Sequence, residues 1–188
     1  VQYFEWAGRA VRGDFGNSPY LNQPVSLMLK ERMGVTMTLG ISALSFAMLL
    51  SIPLGMLAAI RPNTWIDRVA LSISVMGQAM PSFWFGLILI IFFGVKLRWL
   101  PISGSDTWQH FVMPTIALGY YATPAIMRLV RSGMMEVLAS DHIRTARAKG
   151  LRWPKILFKH TLRNAIIPVV AVAAVQLGFM LGGSIVIE

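Results

Sequence analysis

Residue types that carry out chemistry are sparse in this chain, which holds three histidines, eight acids and no cysteine. His110 lies in a turn-rich loop with no other histidine on its side of the pattern, which makes it a surface residue rather than a metal ligand. No H-E-x-x-H pair occurs, and no carboxylate pair lies within an apolar run, so a membrane-embedded enzyme is disfavoured. Ser82 and Ser184 sit in apolar runs without a histidine to activate them. The G-x-x-x-x-G-K-[ST] phosphate loop is missing, so the chain is not expected to bind ATP. Two sets of residues remain. The first is Gln78, Ser82, Tyr120, Tyr121 and Gln176, polar groups inside long uncharged runs. Such groups are costly to leave unpaired in lipid, so each lines a pathway or bonds a neighbouring helix. The second set is basic: residues 128–163 hold nine of the 17 Lys and Arg, with Glu136 and Asp141 the only acids. One Arg or Lys costs roughly 2.5–3.5 kcal/mol at the centre of a membrane helix. This stretch is therefore a water-exposed loop, and its helical, punctuated pattern marks it as an ordered surface on which something docks.

Helices must position both sets. The charged share is 13%, about half the ~25% of soluble domains. Four uncharged runs, residues 34–60, 69–95, 111–127 and 164–187, approach or exceed the ~20 residues that cross a bilayer. The third is the shortest and borrows Leu129 and Val130 beyond Arg128. The expected fold is all-α, a polytopic helical membrane protein with four visible spans. Loops 61–68 and 128–163 carry two and nine Lys/Arg, against four in residues 1–33 and two in 96–110. By the positive-inside rule the first pair is cytoplasmic and residues 1–33 are extracytoplasmic. Residues 34–188 form the membrane domain, with a cytoplasmic loop over 132–163. The net charge of +9 is thus topogenic and does not point to nucleic acid. The first residue is Val rather than Met, and Glu188 directly follows an apolar run, so both ends read as cuts in a longer protein with a span before Val1.

Local signals refine this picture. Tyr3, Phe4 and Trp6 with Ala10 and Val11 suggest a short amphipathic helix. Arg12-Gly13-Asp14 and Asp14-Phe15-Gly16 copy known tripeptides but read as turn chemistry. Gly40, Ser42, Ala43, Ser45 and Ala47 favour close helix contact, and Pro53 should bend the first span. Asp67, beside Arg68, reads as a solvated surface pair with Arg68 or another base. Pro81 should open the second span beside Gln78 and Ser82. Pro114 suits the first turn of the third span. Pro168, Gln176, Gly178, Gly182 and Gly183 make the fourth flexible and closely packable. In the basic loop, Ser140 can cap a helix over residues 141–149 that Gly150 stops in left-handed conformation, and Pro154 restarts a helix at its first position. Ile143 and Ala146 share one face, while Arg144, Arg147 and Lys149 carry the charge. Ile156, Leu157 and His160 would form an inner face of the second helix.

These residues carry a resemblance. Asp141-His142-Ile143-Arg144-Thr145-Ala146-Arg147-Ala148-Lys149-Gly150-Leu151, followed by Lys159-His160-Thr161-Leu162-Arg163-Asn164-Ala165 and Pro168, is similar to the EAA loop of ABC importer permeases. Arg12 to Gly16, Ile52-Pro53-Leu54-Gly55, Pro81-Ser82-Phe83-Trp84, Leu100-Pro101, Gln176-Leu177-Gly178 and Leu181 to Ser184 extend the match over nearly the whole chain. The chain resembles the permease subunit of bacterial importers in the dipeptide, oligopeptide and nickel family. Arg144 and Thr145 stand where the general pattern has Glu and Ala, and His160 and Arg163 replace Ile and Pro. The peptide-type subfamily resembles this altered form, and no salt bridge can be assigned to the missing Glu.

The resemblance implies the transmembrane domain of a type I importer in the bacterial cytoplasmic membrane, translocating peptides or glutathione-like peptides. Residues 141–149 would be a coupling helix seated in a cytoplasmic ATPase subunit through Asp141, Ile143, Arg144, Thr145, Ala146, Arg147, Lys149 and Gly150. Ala146 and Gly150 are expected to make the closest contact. Partners would be a second permease subunit (the same or different), two ATPase subunits that hold ATP and Mg, and an extracytoplasmic solute-binding protein. The chain itself would bind no cofactor. Competing readings are a basic loop that only binds anionic lipid and an ion-coupled transporter or channel. The latter usually keeps an acid within a span, and here only Glu188 touches one.

Overall fold

The structure is a computed structural model that describes residues 2–19 and 22–183. Ser184, Glu188 and the end of the fourth uncharged run lie outside the described residues. Among the described residues regular structure is helical apart from one isolated bridge between Asn17 and Pro24. The chain divides within its second helix into two units, residues 1–38 and 39–188.

In the first unit, α1 (Gln2–Val11) is the short helix expected there, with Tyr3, Phe4, Trp6 and Val11 all exposed. The chain leaves it through Gly13 and Gly16, both at positive φ. The Asp14 carboxylate accepts the Gly16 N–H at 3.0 Å, an Asx turn, so the Asp14-Phe15-Gly16 tripeptide serves the turn. Past the bridge, α2 begins (Val25–Ile60) and continues into the second unit.

The second unit adds α3 (Trp65–Ala79) and α4 (Ser82–Leu89), the latter prolonged by a π-helical stretch, Ile90–Lys96. Then come α5 (Trp108–Ala139), α6 (Asp141–Ala148) and α7 (Trp153–Lys155). A second π-helical stretch, Ile156–Leu162, joins α7 to α8 (Arg163–Gly183). Among the described residues two helices are long and apolar enough to cross a membrane, Val25–Ile60 and Trp153–Gly182. The pair Trp65–Ala79 and Ser82–Lys96 supplies a third if it counts as one crossing, but it is bent by 98°. The uncharged runs had set the number at four. One difference lies at Pro81, which has no N–H to continue the helix and forces Met80 into extended conformation at φ −113°, ψ 137°. The other lies in the third run, which is the middle of a longer helix that also carries Arg128, Arg131 and Glu136. Pro53, Pro124 and Pro168 stay inside continuous helices, as does Pro114, because α5 starts at Trp108 and not at Phe111.

α5 occupies the middle of this unit, and small residues let its neighbours approach. Gly40, Ala43, Ala47, Ser51 and Gly55 are buried at every third or fourth position of α2, one stripe of a helix. A Cβ on Gly119 of α5 would stand 2.5 Å from the Ala43 carbonyl oxygen, and one on Gly55 would stand 2.8 Å from Val130. On the other side, a Cβ on Gly133 would lie 3.2 Å from the Ala165 carbonyl oxygen of α8. Hydroxyls complete the seam. The Ser42 and Thr115 hydroxyls lie 2.7 Å apart, and the Ser51 hydroxyl donates to the Thr123 carbonyl at 2.9 Å. Ser45 bonds its own helix at Ile41 and takes no part. Between helices in lipid, packing and such bonds replace the hydrophobic effect as the adhesive.

Candidate functional site

Only Ser140 separates α5 from α6. Helix α6 begins at Asp141 as expected, but Ser140 does not cap it. The Ser140 hydroxyl donates to the Val137 carbonyl of α5 and lies 2.9 Å from His142 Nδ1. The Ser140 backbone N–H also donates to Val137 while its carbonyl accepts the Ile143 and Arg144 N–H groups, so its backbone serves both helices and its side chain only the preceding one. The end of α6 follows expectation closely. Gly150 sits at φ 71°. Its N–H donates to the Arg147 carbonyl at 2.9 Å, and the Leu151 N–H donates to the Ala146 carbonyl at 3.3 Å. This is the Schellman arrangement, completed by Leu151 packing with Ile143, Ala146 and Ile156. The Arg147 guanidinium lies 5.3 Å from the centre of the Trp153 ring, a cation–π contact that ties α6 to α7.

The two faces of α6 differ in kind. Ile143 and Ala146 are buried, while Asp141, His142, Arg144, Thr145, Arg147, Ala148, Lys149 and Gly150 are exposed. Ala146, expected to make close contact with a partner, lies in a cluster with the chain's own Ile143, Ile156 and Leu151. The exposed face is strongly basic, with one ion pair across it, Arg144 to Asp141 at 3.3 Å. Pro154 stands in the first turn of α7, where a missing N–H costs nothing. Beyond it the helix widens, with the Thr161 hydroxyl donating to Ile156 five residues back at 3.1 Å. Ile156, Leu157 and Thr161 face inward, and His160 is only half-buried.

Three of the five polar groups in the apolar runs gather at the break between α3 and α4. Gln78 is exposed one turn before it, and the Arg128 guanidinium approaches its side-chain oxygen at 3.5 Å. Ser82 is the first residue of α4 and half-buried. The Tyr120 hydroxyl donates to the Ile73 carbonyl of α3, and its ring lies 5.5 Å from that of Phe85 on α4. A side chain on Gly77 would run into the Tyr120 carbonyl oxygen, the group that Pro124, four residues on, leaves without its helical donor. Tyr121 is exposed and Gln176 half-buried, and no hydrogen bond or ring contact draws either into this group. His110 is also accounted for: its Nδ1 accepts the Thr107 N–H at 3.2 Å, so it caps α5 rather than standing free on the surface. No group of three metal-ligating side chains occurs among the described residues.

Asp67 departs furthest from expectation. It is buried, with 2% of its surface exposed, and pairs with Arg131 across 64 positions of sequence rather than with its neighbour Arg68. Arg131 donates from Nε to Oδ1 and from Nη2 to Oδ2, each at 2.7 Å. The Asn63 N–H adds a third bond to Oδ2 at 2.8 Å. A bidentate guanidinium–carboxylate pair fixes orientation as well as distance.

Residues 51–188 match the family model described as the binding-protein-dependent transport system inner membrane component. The chain belongs to this family. It is 41% identical over its full length to the glutathione transport system permease proteins GsiC of Salmonella choleraesuis (strain SC-B67) and Escherichia coli (strain K12). It spans 61% of the length of those curated relatives. A crystal structure of an amino acid ABC transporter with histidines shares the fold at a TM-score of 0.56 and 16% identity, over 98% of this chain and 73% of that one.

Members of this family are inner membrane components of binding-protein-dependent transport systems. Two features of the permease went unread in the sequence. One is the Asp67–Arg131 pair, whose partners lie too far apart for any local spacing rule. The other is Arg128, which looked like the end of a span but reaches towards Gln78.

Proposed function

We propose that this chain is the membrane-spanning part of an importer permease that passes glutathione or similar small peptides into the cell, with ATP hydrolysis on separate cytoplasmic subunits. The observation that carries the reading is α6. It is a short helix stopped by a Schellman motif, pinned by Ile143 and Ala146, and joined through one residue to the central helix α5. A helix so held moves as one body with α5. Its outward face offers Arg144, Thr145, Arg147 and Lys149 to a partner, with Asp141 and Gly150 at its ends.

In this reading residues 61–68 and 132–163 are cytoplasmic, and residues 1–33 face the other side. Two ATPase subunits, holding ATP and Mg, engage α6 of this chain and of a second permease subunit. A solute-binding protein delivers substrate from outside. Gln78, Ser82 and Tyr120 at the helix break are the first candidates for the pathway, with Tyr121 and Gln176 as outliers. The named transport activity of the 41% identical relatives supports the glutathione class. The test is uptake of labelled glutathione into vesicles holding the full-length permease, its ATPase subunits and its binding protein. Uptake should require ATP and the binding protein. Uptake that persists without the ATPase subunits, driven by an ion gradient, would refute the proposal.

A further inference from the structure

The Asp67–Arg131 pair offers more than cohesion. Resting on the importer reading, we propose that it is the link by which motion of α6 reaches the break between α3 and α4. Arg131 and Asp67 would then be positioning residues in coupling.

Three observations lead there. First, Arg131 sits eight residues before the end of α5, about 12 Å along the helix, and α6 follows after Ser140 alone. Displacement of α6 is therefore displacement of Arg131. Second, the rest of the buried face of α3 is smooth. Ala70, Ser74 and Gly77 are its buried residues beyond Asp67, small side chains that let α5 approach closely but carry no charge to fix its register. Polar side chains join α3 to α5 at three points, the Asp67–Arg131 pair, the bond from Tyr120 to Ile73 and the longer 3.5 Å approach of Arg128 to Gln78, and of these only the first is a bidentate ion pair. Third, α3 ends at Met80 and Pro81, where Gln78 and Ser82 stand. A pull on Asp67 at one end of α3 is delivered at that break. A buried ion pair stabilises no better than a packed apolar pair. What it adds is a fixed register, here with the Asn63 N–H anchoring loop 61–64 to the same carboxylate.

The experiment compares uptake with hydrolysis in the full-length permease reconstituted with its ATPase subunits and binding protein. Removing one partner alone strands a buried charge and risks misfolding. The informative variants are the apolar pair Asp67→Leu with Arg131→Met and the exchanged pair Asp67→Arg with Arg131→Asp. The apolar pair should insert and melt near the parent temperature and continue to hydrolyse ATP. Its glutathione uptake per ATP should fall about five-fold or more, the lower end of typical coupling between sites. The exchanged pair should recover part of that ratio. An unchanged ratio in the apolar pair would overturn the proposal, as would uptake and hydrolysis falling in the same proportion. ATP-independent uptake by the unaltered permease would instead defeat the importer reading, so the two failures are distinguishable.

Discussion

Gly119→Ala tests whether close backbone approach holds the centre of the membrane unit together. The new methyl would lie 2.5 Å from the Ala43 carbonyl oxygen and 2.8 Å from Phe46 Cδ1. The carbonyl belongs to the backbone of α2, so no change of rotamer relieves the clash. Reaching ordinary contact at about 3.4 Å requires α2 to retreat by about 0.9 Å. That retreat would stretch the 2.9 Å bond from Ser51 to Thr123 to about 3.8 Å, and the 2.7 Å contact of Ser42 with Thr115 to about 3.6 Å. Overpacking of this kind costs about 1–3 kcal/mol, and interhelical bonds in membranes average about 0.6 kcal/mol each. Replacing a helical glycine returns roughly 0.5–1 kcal/mol through the unfolded chain. The balance is a loss of roughly 2–3 kcal/mol, a fall in Tm of roughly 5–10 °C at this chain length. Thermal unfolding in detergent, followed by tryptophan fluorescence, reads it directly. Gly178→Ala is the control, since a Cβ there meets nothing within 4 Å, and it should hold or raise Tm. A Gly119→Ala variant melting within about 1 °C of the parent would refute the reasoning, because the clash would then be relieved without loss of the seam.

Other consequences concern the loop. Gly150→Ala should destabilise by about 1–2 kcal/mol through backbone strain alone, since φ is 71° and nothing crowds the site; Gly150→Asn should lose less, and equal Tm values for all three would disprove the left-handed stop. Arg144→Glu with Lys149→Glu should weaken co-purification of the ATPase subunits while leaving Tm unchanged, and undiminished binding would rule out this face as the docking surface. Ile143→Ala, at a site with no exposed surface, should cost roughly 2–5 kcal/mol, which limited proteolysis of α6 would reveal; a loop as resistant as the parent's would mean that Ile143 does not pin it.

Most of the helix pattern was legible because it rests on local rules. Gly150 read as a left-handed stop because no other residue type adopts that conformation as cheaply, and it is one. Pro81 read as a break and breaks the chain by 98°. Proline does not end a helix everywhere. Pro53, Pro114, Pro124 and Pro168 remain in continuous helices, since neighbouring helices and local adjustments tolerate a freed carbonyl. Tyr120 shows how, its carbonyl oxygen standing where Gly77 leaves room. The small residues of α2 identified a contact face, but not that α5 would fill it. Periodicity names a face and is silent about its partner.

The site was half legible for a related reason. Asp67 read as a solvated surface pair with Arg68 or another base, but it is buried, and since successive residues on a helix point about 100° apart, Arg68 lies on an exposed face. The partner had to come from another helix, and Arg131 is the one within reach. Ala146 is a second case. Its small size suggested room for an incoming partner, and within this chain it is 7% exposed in a cluster with Ile143, Ile156 and Leu151. With Ile143 and Ala146 turned inward, the small methyl of Ala148 is the one purely apolar side chain left on the outer face of α6. In the proposed docking, recognition would rest mainly on charge and hydrogen bonding by Arg144, Thr145, Arg147 and Lys149. Such contacts weaken with salt more than buried apolar ones do. Association of the ATPase subunits should therefore fall as ionic strength rises, whereas an interface carried by Ala146 would tolerate it.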